Sequence, residues 1–141
     1  MMHIPPLLKE RLLDTGLLFL RLCAGGLMLF SHGIGKLELL GQDPIKFADP
    51  LGLGETLSLW LALGAEIVCA ILILLGLATR IAAVPLVITM LVAALIVHGA
   101  DPFMKKEFAL VYGVIFTTLM FTGPGKYSLD AFIEKRRSKA Q

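Results

Sequence analysis

The chain has 141 residues, of which 57% are hydrophobic and 17% are charged, and its mean hydropathy is +0.82. A soluble domain is about half apolar with roughly a quarter of its residues charged, so this composition argues against an ordinary soluble enzyme or binding domain. The net charge of +2 excludes little, but the two cysteines, Cys23 and Cys69, are too few and too far apart for a CxxC redox pair or a zinc site.

The apolar residues are concentrated in four runs, at about 14–35, 56–77, 80–98 and 106–122. At about 1.5 Å per residue, a helix over each run approaches the roughly 30 Å thickness of the bilayer core.

Basic residues precede the first run as in a signal peptide, but Arg21 interrupts it and no A-x-A-like cleavage site follows. We interpret this run as a true span. The sequence therefore predicts an all-α integral membrane four-helix bundle, a single domain over residues 1–141.

The distribution of basic residues predicts the orientation of this bundle. Basic residues precede the first run, separate the second from the third, and follow the fourth: Lys9, Arg11, Arg80, Lys126, Lys135, Arg136, Arg137 and Lys139. The other two connections carry at least as many acidic as basic residues, so the positive-inside rule places both termini in the cytoplasm. The connection between the first two helices is then a long outer loop. The basic tail, 123–141, is more typical of a topological anchor than of a nucleic-acid site.

Glu66 is the only charged side chain between Thr56 and Thr79. A carboxylate near the centre of a membrane helix costs at least a few kcal/mol, so it is expected to face the interior of the bundle and to have a partner. Counted from the inner ends of their helices, Arg21 and Glu66 differ by about one and a half turns. An arginine side chain covers that difference, so the sequence favours an Arg21–Glu66 pair. The pair is either a structural contact between helices or part of a functional site.

Further polar residues fall on the same inward stripes. His32 and Lys36 continue the stripe of Arg21 on the first helix, and His98 closes the third helix at its outer end. We interpret Glu66, His32 and Arg21 as candidate catalytic residues, and Lys36, His98, Trp60 and Tyr112 as candidate ligand contacts. Packing or interfacial anchoring is nevertheless favoured for the two aromatic residues, and for the two histidines an interfacial role with hydrogen bonds to backbone or water stays equally open. Imidazole and a carboxylate of raised pKa exchange protons, which suits a quinone or another small redox-active molecule.

Metal and haem sites receive little support from the spacing of these residues. His32, His98 and a carboxylate are chemically able to bind a metal, but no close-spaced ligand motif is present. Haem bound through both histidines would lie at the outer edge of the bundle and not at mid-membrane. The sequence therefore predicts neither a metal nor haem. Cys23 and Cys69 are interpreted as buried reduced thiols, and a conditional disulfide between them stays open.

Several stretches of the chain resemble the DoxX family. They are RLCAGGLMLFSHGIGKL (21–37), ADPLGLG (48–54), AEIVCAILILLGLATRIAA (65–83) and GPGKYSLDA (123–131). The resemblance implies a four-helix, multi-pass protein of a bacterial-type inner membrane. The family takes its name from a subunit of a thiosulfate:quinone oxidoreductase, and other members are associated with oxidative-stress complexes. It also implies a polar signature on the matching positions, which are Arg21, His32, Lys36, Glu66 and Arg80.

These observations together predict a small membrane subunit of a quinone-linked redox or oxidative-stress system. Its expected ligand is quinone-like, and its expected partners are the lipid bilayer and other proteins of a membrane complex. A homo-oligomer is compatible with the sequence, and no nucleic acid is expected. Two alternatives stay open: a non-catalytic anchor or assembly protein for a multi-subunit complex, and a carrier for a small solute or a metal.

Overall fold

Residues 5–140 are described by the computed structural model, and five helices lie in this range. We number them α1 (Pro6–Gly41), α2 (Glu55–Leu75), α3 (Thr79–Val97), α4 (Phe103–Thr122) and α5 (Leu129–Lys139). The described residues contain no β-strand, which confirms the all-α expectation. We call the end of the bundle with the connections 42–54 and 98–102 the loop end. The opposite end, with the turn 76–78 and the segment 123–128, is the tail end.

Three of the helices, α1, α2 and α3, are long and apolar enough to cross a membrane. Their outer surfaces carry large apolar side chains, among them Phe19 and Ile81, which are 69% and 75% exposed. Apolar surface of this extent is unusual on a soluble monomer and is ordinary for helices that contact lipid. Although α4 has 20 residues, it is not among these three helices, because Lys105, Lys106 and Glu107 occupy its beginning.

Two expectations about the helices need correction. The first helix begins at Pro6, well before residue 14, because proline is well suited to the first position of a helix. The basic tail 123–141, for which no helix was predicted, contains the additional helix α5. Ser128 caps α5, since its Oγ accepts a hydrogen bond from the amide of Ala131 at 3.2 Å. Asp130 in the first turn and basic residues in the last turn also complement the helix dipole.

The core combines small residues, which let the helices approach closely, with large apolar side chains. Its buried members include Ala24 and Met28 of α1, Ala65, Ala70 and Ile73 of α2, Ala82, Ala83 and Leu86 of α3, and Phe116 and Leu119 of α4. Gly33 of α1 is the tightest contact with α2, because a Cβ at this position would lie 2.8 Å from the backbone oxygen of Glu66. Such contacts are typical of helix pairs in membranes, where van der Waals packing holds helices together.

Three helices contain a π-helical segment in their middle or towards the loop end. These segments are Met28–Gly33 in α1, Gly64–Cys69 in α2 and Ala93–Val97 in α3. The first contains His32, the second contains Glu66, and the third ends directly before His98. A π-helical turn changes the direction in which the following side chains point, and it is frequent at functional sites. The irregular turns therefore coincide with the ionisable residues.

Candidate functional site: a cavity at the loop end

A cavity of about 520 Å³ lies between α1, α2, α3 and α4 towards the loop end. Its wall is mostly apolar and includes Phe47, Pro50, Leu51 and Leu53 of the connection 42–54. The polar side chains that line it are His32, Lys36, Ser58, Glu66, Thr89, His98, Lys105 and Tyr112. An apolar cavity of this size with a few convergent polar groups has the general form of a small-molecule site.

Lys36 and Glu66 form the ion pair of this cavity. The Lys36 Nζ lies 2.5 Å from Oε2 of Glu66 and 3.4 Å from the backbone oxygen of His32, to which it also donates. Glu66 is buried, with 4% of its surface exposed. The two charges lie in a largely apolar environment, so each compensates the desolvation of the other. Glu66 therefore faces the interior, as expected, but its partner is a lysine.

The predicted Arg21–Glu66 pair is wrong. Arg21 and Lys36 are separated by about 22 Å along α1, at about 1.5 Å per residue. Long side chains on a helix point towards its N-terminus, so Arg21 extends away from Glu66 while Lys36 reaches back to it. The buried guanidinium of Arg21 instead donates to two backbone oxygens, that of Tyr127 at 2.5 Å and that of Ile73 at 3.3 Å. Arg21 consequently lies outside the cavity, at the tail end.

Arg21 belongs to a tail cluster, which consists of Arg21, Gly76, Tyr127, Ser128 and Asp130. The Asp130 carboxylate accepts hydrogen bonds from the amides at positions 78 and 79, at 2.9 and 3.3 Å. The Asp130 amide donates to the backbone oxygen of Gly76 at 3.0 Å. Gly76 has a φ of 66°, and a Cβ there would overlap the guanidinium of Arg21. The stretches at 21, 76–80 and 123–131 thus meet in one structural contact.

Asp130 was not predicted as a structural residue from the sequence. A signal for it was present, because a carboxylate two residues after a serine, in the first turn of a basic helix, is typical of a helix start. The sequence could not show that the same carboxylate also caps α3. That second role depends on the tail returning to the turn 76–78.

His32 and Tyr112 meet in the wall of the cavity. Their rings are 5.6 Å apart at 85°, an edge-to-face arrangement. Tyr112 also stacks on Phe116, with ring centroids 6.0 Å apart and an angle of 15° between the rings. Such aromatic contacts stabilise one orientation of each ring. The structure therefore brings together three of the predicted site residues on α1 and α2, namely His32, Lys36 and Glu66, with Tyr112 of α4.

His98 lines the cavity at the loop end, in contact with a carboxylate. Its Nδ1 lies 2.9 Å from Oδ2 of Asp101, and the Lys105 Nζ lies 3.7 Å from Oδ1 of the same residue. The hydrogen bond with His98 lowers the pKa of the Asp101 carboxyl, and the charge of Lys105 acts in the same direction. Lys105 lines the cavity as well, although the sequence did not single it out. Lys105 reaches the cavity only because of how α3 and α4 pack against each other, which the sequence does not show.

The remaining candidates lie elsewhere. Trp60 is 56% exposed and does not line the cavity, so the structure does not bring it to the other candidate residues. Cys23 is exposed and Cys69 is half-buried, and both are free, which corrects the expectation of a buried thiol at position 23. Arg80 is exposed at the tail end, near Gly123. Within residues 5–140, no group of three or more His, Cys, Asp or Glu side chains is arranged to hold a metal ion.

Comparisons with known proteins agree with this architecture. The family model of DoxX matches residues 16–99. The uncharacterized membrane protein Rv3486 of Mycobacterium tuberculosis is 33% identical over 94% of this chain and 83% of its own length. The Bacillus subtilis protein named "Putative oxidoreductase CatD" is 31% identical over 86% of this chain and 90% of its own length. No solved structure matches the chain. Since the family model covers more than half of the chain and both relatives align over most of it, the chain belongs to the DoxX family of membrane proteins.

Proposed function

We propose that this chain is a membrane subunit of a quinone-linked redox or oxidative-stress system, and that its cavity binds a quinone-class ligand. The observation that carries the proposal is the Lys36–Glu66 pair, which lies in the wall of a mostly apolar cavity of about 520 Å³. An aromatic ligand with polar oxygens matches such a wall, because its ring is apolar and its oxygens accept hydrogen bonds. The oxidoreductase name of the Bacillus subtilis relative supports the same class of reaction.

The polar residues of the cavity suit the chemistry of a quinone. A lysine ammonium has three hydrogen-bond donors, and Lys36 uses two of them on Glu66 and on the backbone oxygen of His32. The third donor is free to bind a quinone oxygen. Glu66 and the His32 imidazole are groups that can hold a proton beside that oxygen. Reduction of a quinone to a quinol takes two protons and two electrons. In this proposal the cavity passes the protons, and a partner subunit supplies the electrons.

The proposal includes an orientation in the membrane. We place α1 to α4 across the bilayer of a bacterial-type inner membrane, with both termini in the cytoplasm. At about 1.5 Å per residue, the 20 residues of α4 span about 30 Å, which matches the bilayer core. The tail end carries most of the basic residues of the chain, whereas acidic residues predominate at the loop end. The positive-inside rule supports this orientation, in which the cavity lies nearer the outer face.

Quinone binding to the purified protein in detergent tests the proposed ligand. We expect Glu66→Gln and His32→Ala to weaken the binding of a short-tailed benzoquinone or naphthoquinone at least tenfold. Glu107→Gln is the matched control, because Glu107 is exposed and does not line the cavity. Unchanged binding by variants that keep the wild-type melting temperature would contradict the proposal.

A second function, a non-catalytic assembly or anchoring protein, is favoured by the tail cluster. Arg21 and Asp130 make only backbone hydrogen bonds there, and these hold the C-terminal segment against the bundle. If the polar residues of the cavity also serve only packing, Glu66→Gln will lower the melting temperature and the recovery of the membrane complex. In that case the fraction of the variant that folds will bind quinone with the same affinity as the wild type.

A further inference from the structure

The start of α5 is held at the end of two membrane helices. Asp130, in the first turn of α5, accepts hydrogen bonds from the amides of Ala78 and Thr79 and donates its own amide to Gly76. These residues form the turn between α2 and α3, both of which are long and apolar enough to cross a membrane. A turn between two such helices lies at the membrane surface. The bonds of Asp130 therefore place the first turn of α5 at the level of the lipid headgroups.

The two sides of α5 differ in what they contact. Asp130 and Ala131, which are half-buried, lie on the side that faces the bundle. At about 100° per residue, Leu129, Phe132 and Ile133 lie on the opposite side. These three side chains are 40%, 50% and 39% exposed. The side of α5 that faces away from the bundle therefore carries three uncovered apolar side chains.

The cations of α5 lie on this same side and at its edges. They are Lys135, Arg136, Arg137 and Lys139. On a regular helix all four fall, together with the three apolar residues, within a sector of roughly 200°. The guanidinium of Arg136 lies over the ring of Phe132, with 4.4 Å from its Cζ to the ring centroid. Long cationic side chains beside uncovered apolar ones suit a membrane interface, because their stems contact apolar surface while their charges stay at the level of the headgroups.

We infer that α5 is an interfacial helix that binds anionic lipid headgroups through these four cations, while Phe132 and Ile133 enter the adjoining acyl region. The helix dipole accounts for basic residues in the last turn but not for the uncovered apolar side chains. The acidic residues of α5 do not oppose this binding strongly, because Asp130 is engaged by backbone amides, and Glu134 is the one other carboxylate of the helix. Each cation near an anionic surface strengthens binding by roughly fivefold. This inference is independent of the ligand of the cavity.

The test uses the full chain in lipid nanodiscs, with a single tryptophan as the probe. Trp60→Phe removes the one native tryptophan, and Phe132→Trp introduces the probe on α5. One set of discs contains phosphatidylcholine only, and the other contains one third phosphatidylglycerol. We expect the emission of the probe to shift to the blue in the anionic discs, with stronger quenching by brominated acyl chains. Salt at about 0.5 M should reverse most of the shift, because it screens exposed charges.

Charge variants separate this inference from a general effect of lipid composition. In a quadruple variant, the probe should show the same emission and quenching in the two kinds of disc. Its substitutions are Lys135→Gln, Arg136→Gln, Arg137→Gln and Lys139→Gln. The control variant Lys46→Gln, Lys106→Gln, at two loop-end lysines that do not line the cavity, should keep the difference between the two discs. The double variant Arg136→Gln, Arg137→Gln serves if the quadruple variant does not fold, and it should lose most of the difference. Equal emission and quenching in the two discs, or a difference that survives in the charge variants of α5, would overturn the inference. Equal burial of the probe in both discs would favour an apolar protein surface as the partner of α5.

Discussion

Lys36 of α1 and Glu66 of α2 are joined by an ion pair of 2.5 Å in a cavity whose wall is mostly apolar. Arg21, on the same inward stripe of α1, is buried at the other end of the bundle and bonds only to backbone oxygens. The polar signature of the chain thus separates into two groups with different roles. The loop end holds the residues that face a cavity, and the tail end holds those that connect the C-terminal segment to the bundle.

The Lys36–Glu66 pair should behave as a coupled unit in unfolding experiments. Removing one partner leaves an uncompensated charge in an apolar environment, so we expect Lys36→Met to lower the free energy of unfolding by about 3 kcal/mol. The double variant Lys36→Met, Glu66→Gln should recover a large part of this loss, because both charges are then absent. Chemical unfolding in mixed micelles measures the free energies, with Glu107→Gln as the control. Additive losses in the double variant would show that the two residues do not act together.

Gly76 should tolerate no side chain because of Arg21. Its φ of 66° disfavours any residue with a Cβ, and the added Cβ would also overlap the buried guanidinium. Gly52 has a similar φ of 69° but nothing within 4 Å of the added atom, so it isolates the backbone effect. We expect Gly52→Ala to destabilise by about 1 kcal/mol and Gly76→Ala by about 3 kcal/mol or more. Thermal unfolding of both variants measures the difference. Equal losses of stability in the two variants would mean that the Arg21 side chain moves away from the added Cβ at little cost.

A bulky residue at position 88 should impair access to the cavity. Ile88 of α3 and Leu61 of α2 both line the cavity while 54% exposed, so the cavity is open to lipid beside them. We expect Ile88→Trp to weaken binding of a quinone-class ligand severalfold. Ile81→Trp is the matched control, since Ile81 lies on the same helix, is 75% exposed and does not line the cavity. Binding titrations in detergent compare the two variants. An equal effect of both substitutions would place the entry elsewhere.

Asp49 should make the connection 42–54 sensitive to acid. Its carboxylate accepts hydrogen bonds from the amides of Gly54 and Leu53 and from the Ser58 hydroxyl, at 2.8 to 2.9 Å. The bonds from Gly54 and Ser58 are the main causes that lower the pKa of Asp49 below its ordinary value. The stabilisation is therefore present above the unfolded pKa and is lost as the pH falls through the lower, folded pKa.

The measurement for Asp49 is the melting temperature of wild type and Asp49→Asn as a function of pH. We expect the wild type to melt at the higher temperature at pH 6, and the difference to shrink as the pH decreases below about 4. Asp43→Asn is the control, because Asp43 lies in the same connection and has no side-chain hydrogen bond among the described residues. A difference in melting temperature between wild type and Asp49→Asn that stays constant from pH 6 to the lowest pH measured would refute this role of the carboxylate.

Much of the candidate site could be predicted because the cost of a charge in lipid is visible in a sequence. Glu66 had to face the interior, and the stripe of α1 placed His32 and Lys36 on the inward side of that helix. The choice of Arg21 as the partner failed because depth was counted from assumed helix ends. The structure continues α1 to Gly41, and its side chains point back towards the N-terminus. Lys36 therefore reaches Glu66, and Arg21 does not.

The sequence by itself determined that this chain is an all-α membrane protein of the DoxX family, because long apolar runs and family motifs depend only on residue order. It also determined that Glu66 is buried, since a lone carboxylate is not stable against lipid. Only the tertiary structure decided that Lys36 neutralises this carboxylate, that Tyr112 faces His32, and that Asp130 caps α3. Each of these contacts joins residues of different helices, so it depends on the relative depth and rotation of packed helices, which the periodicity of one helix does not contain.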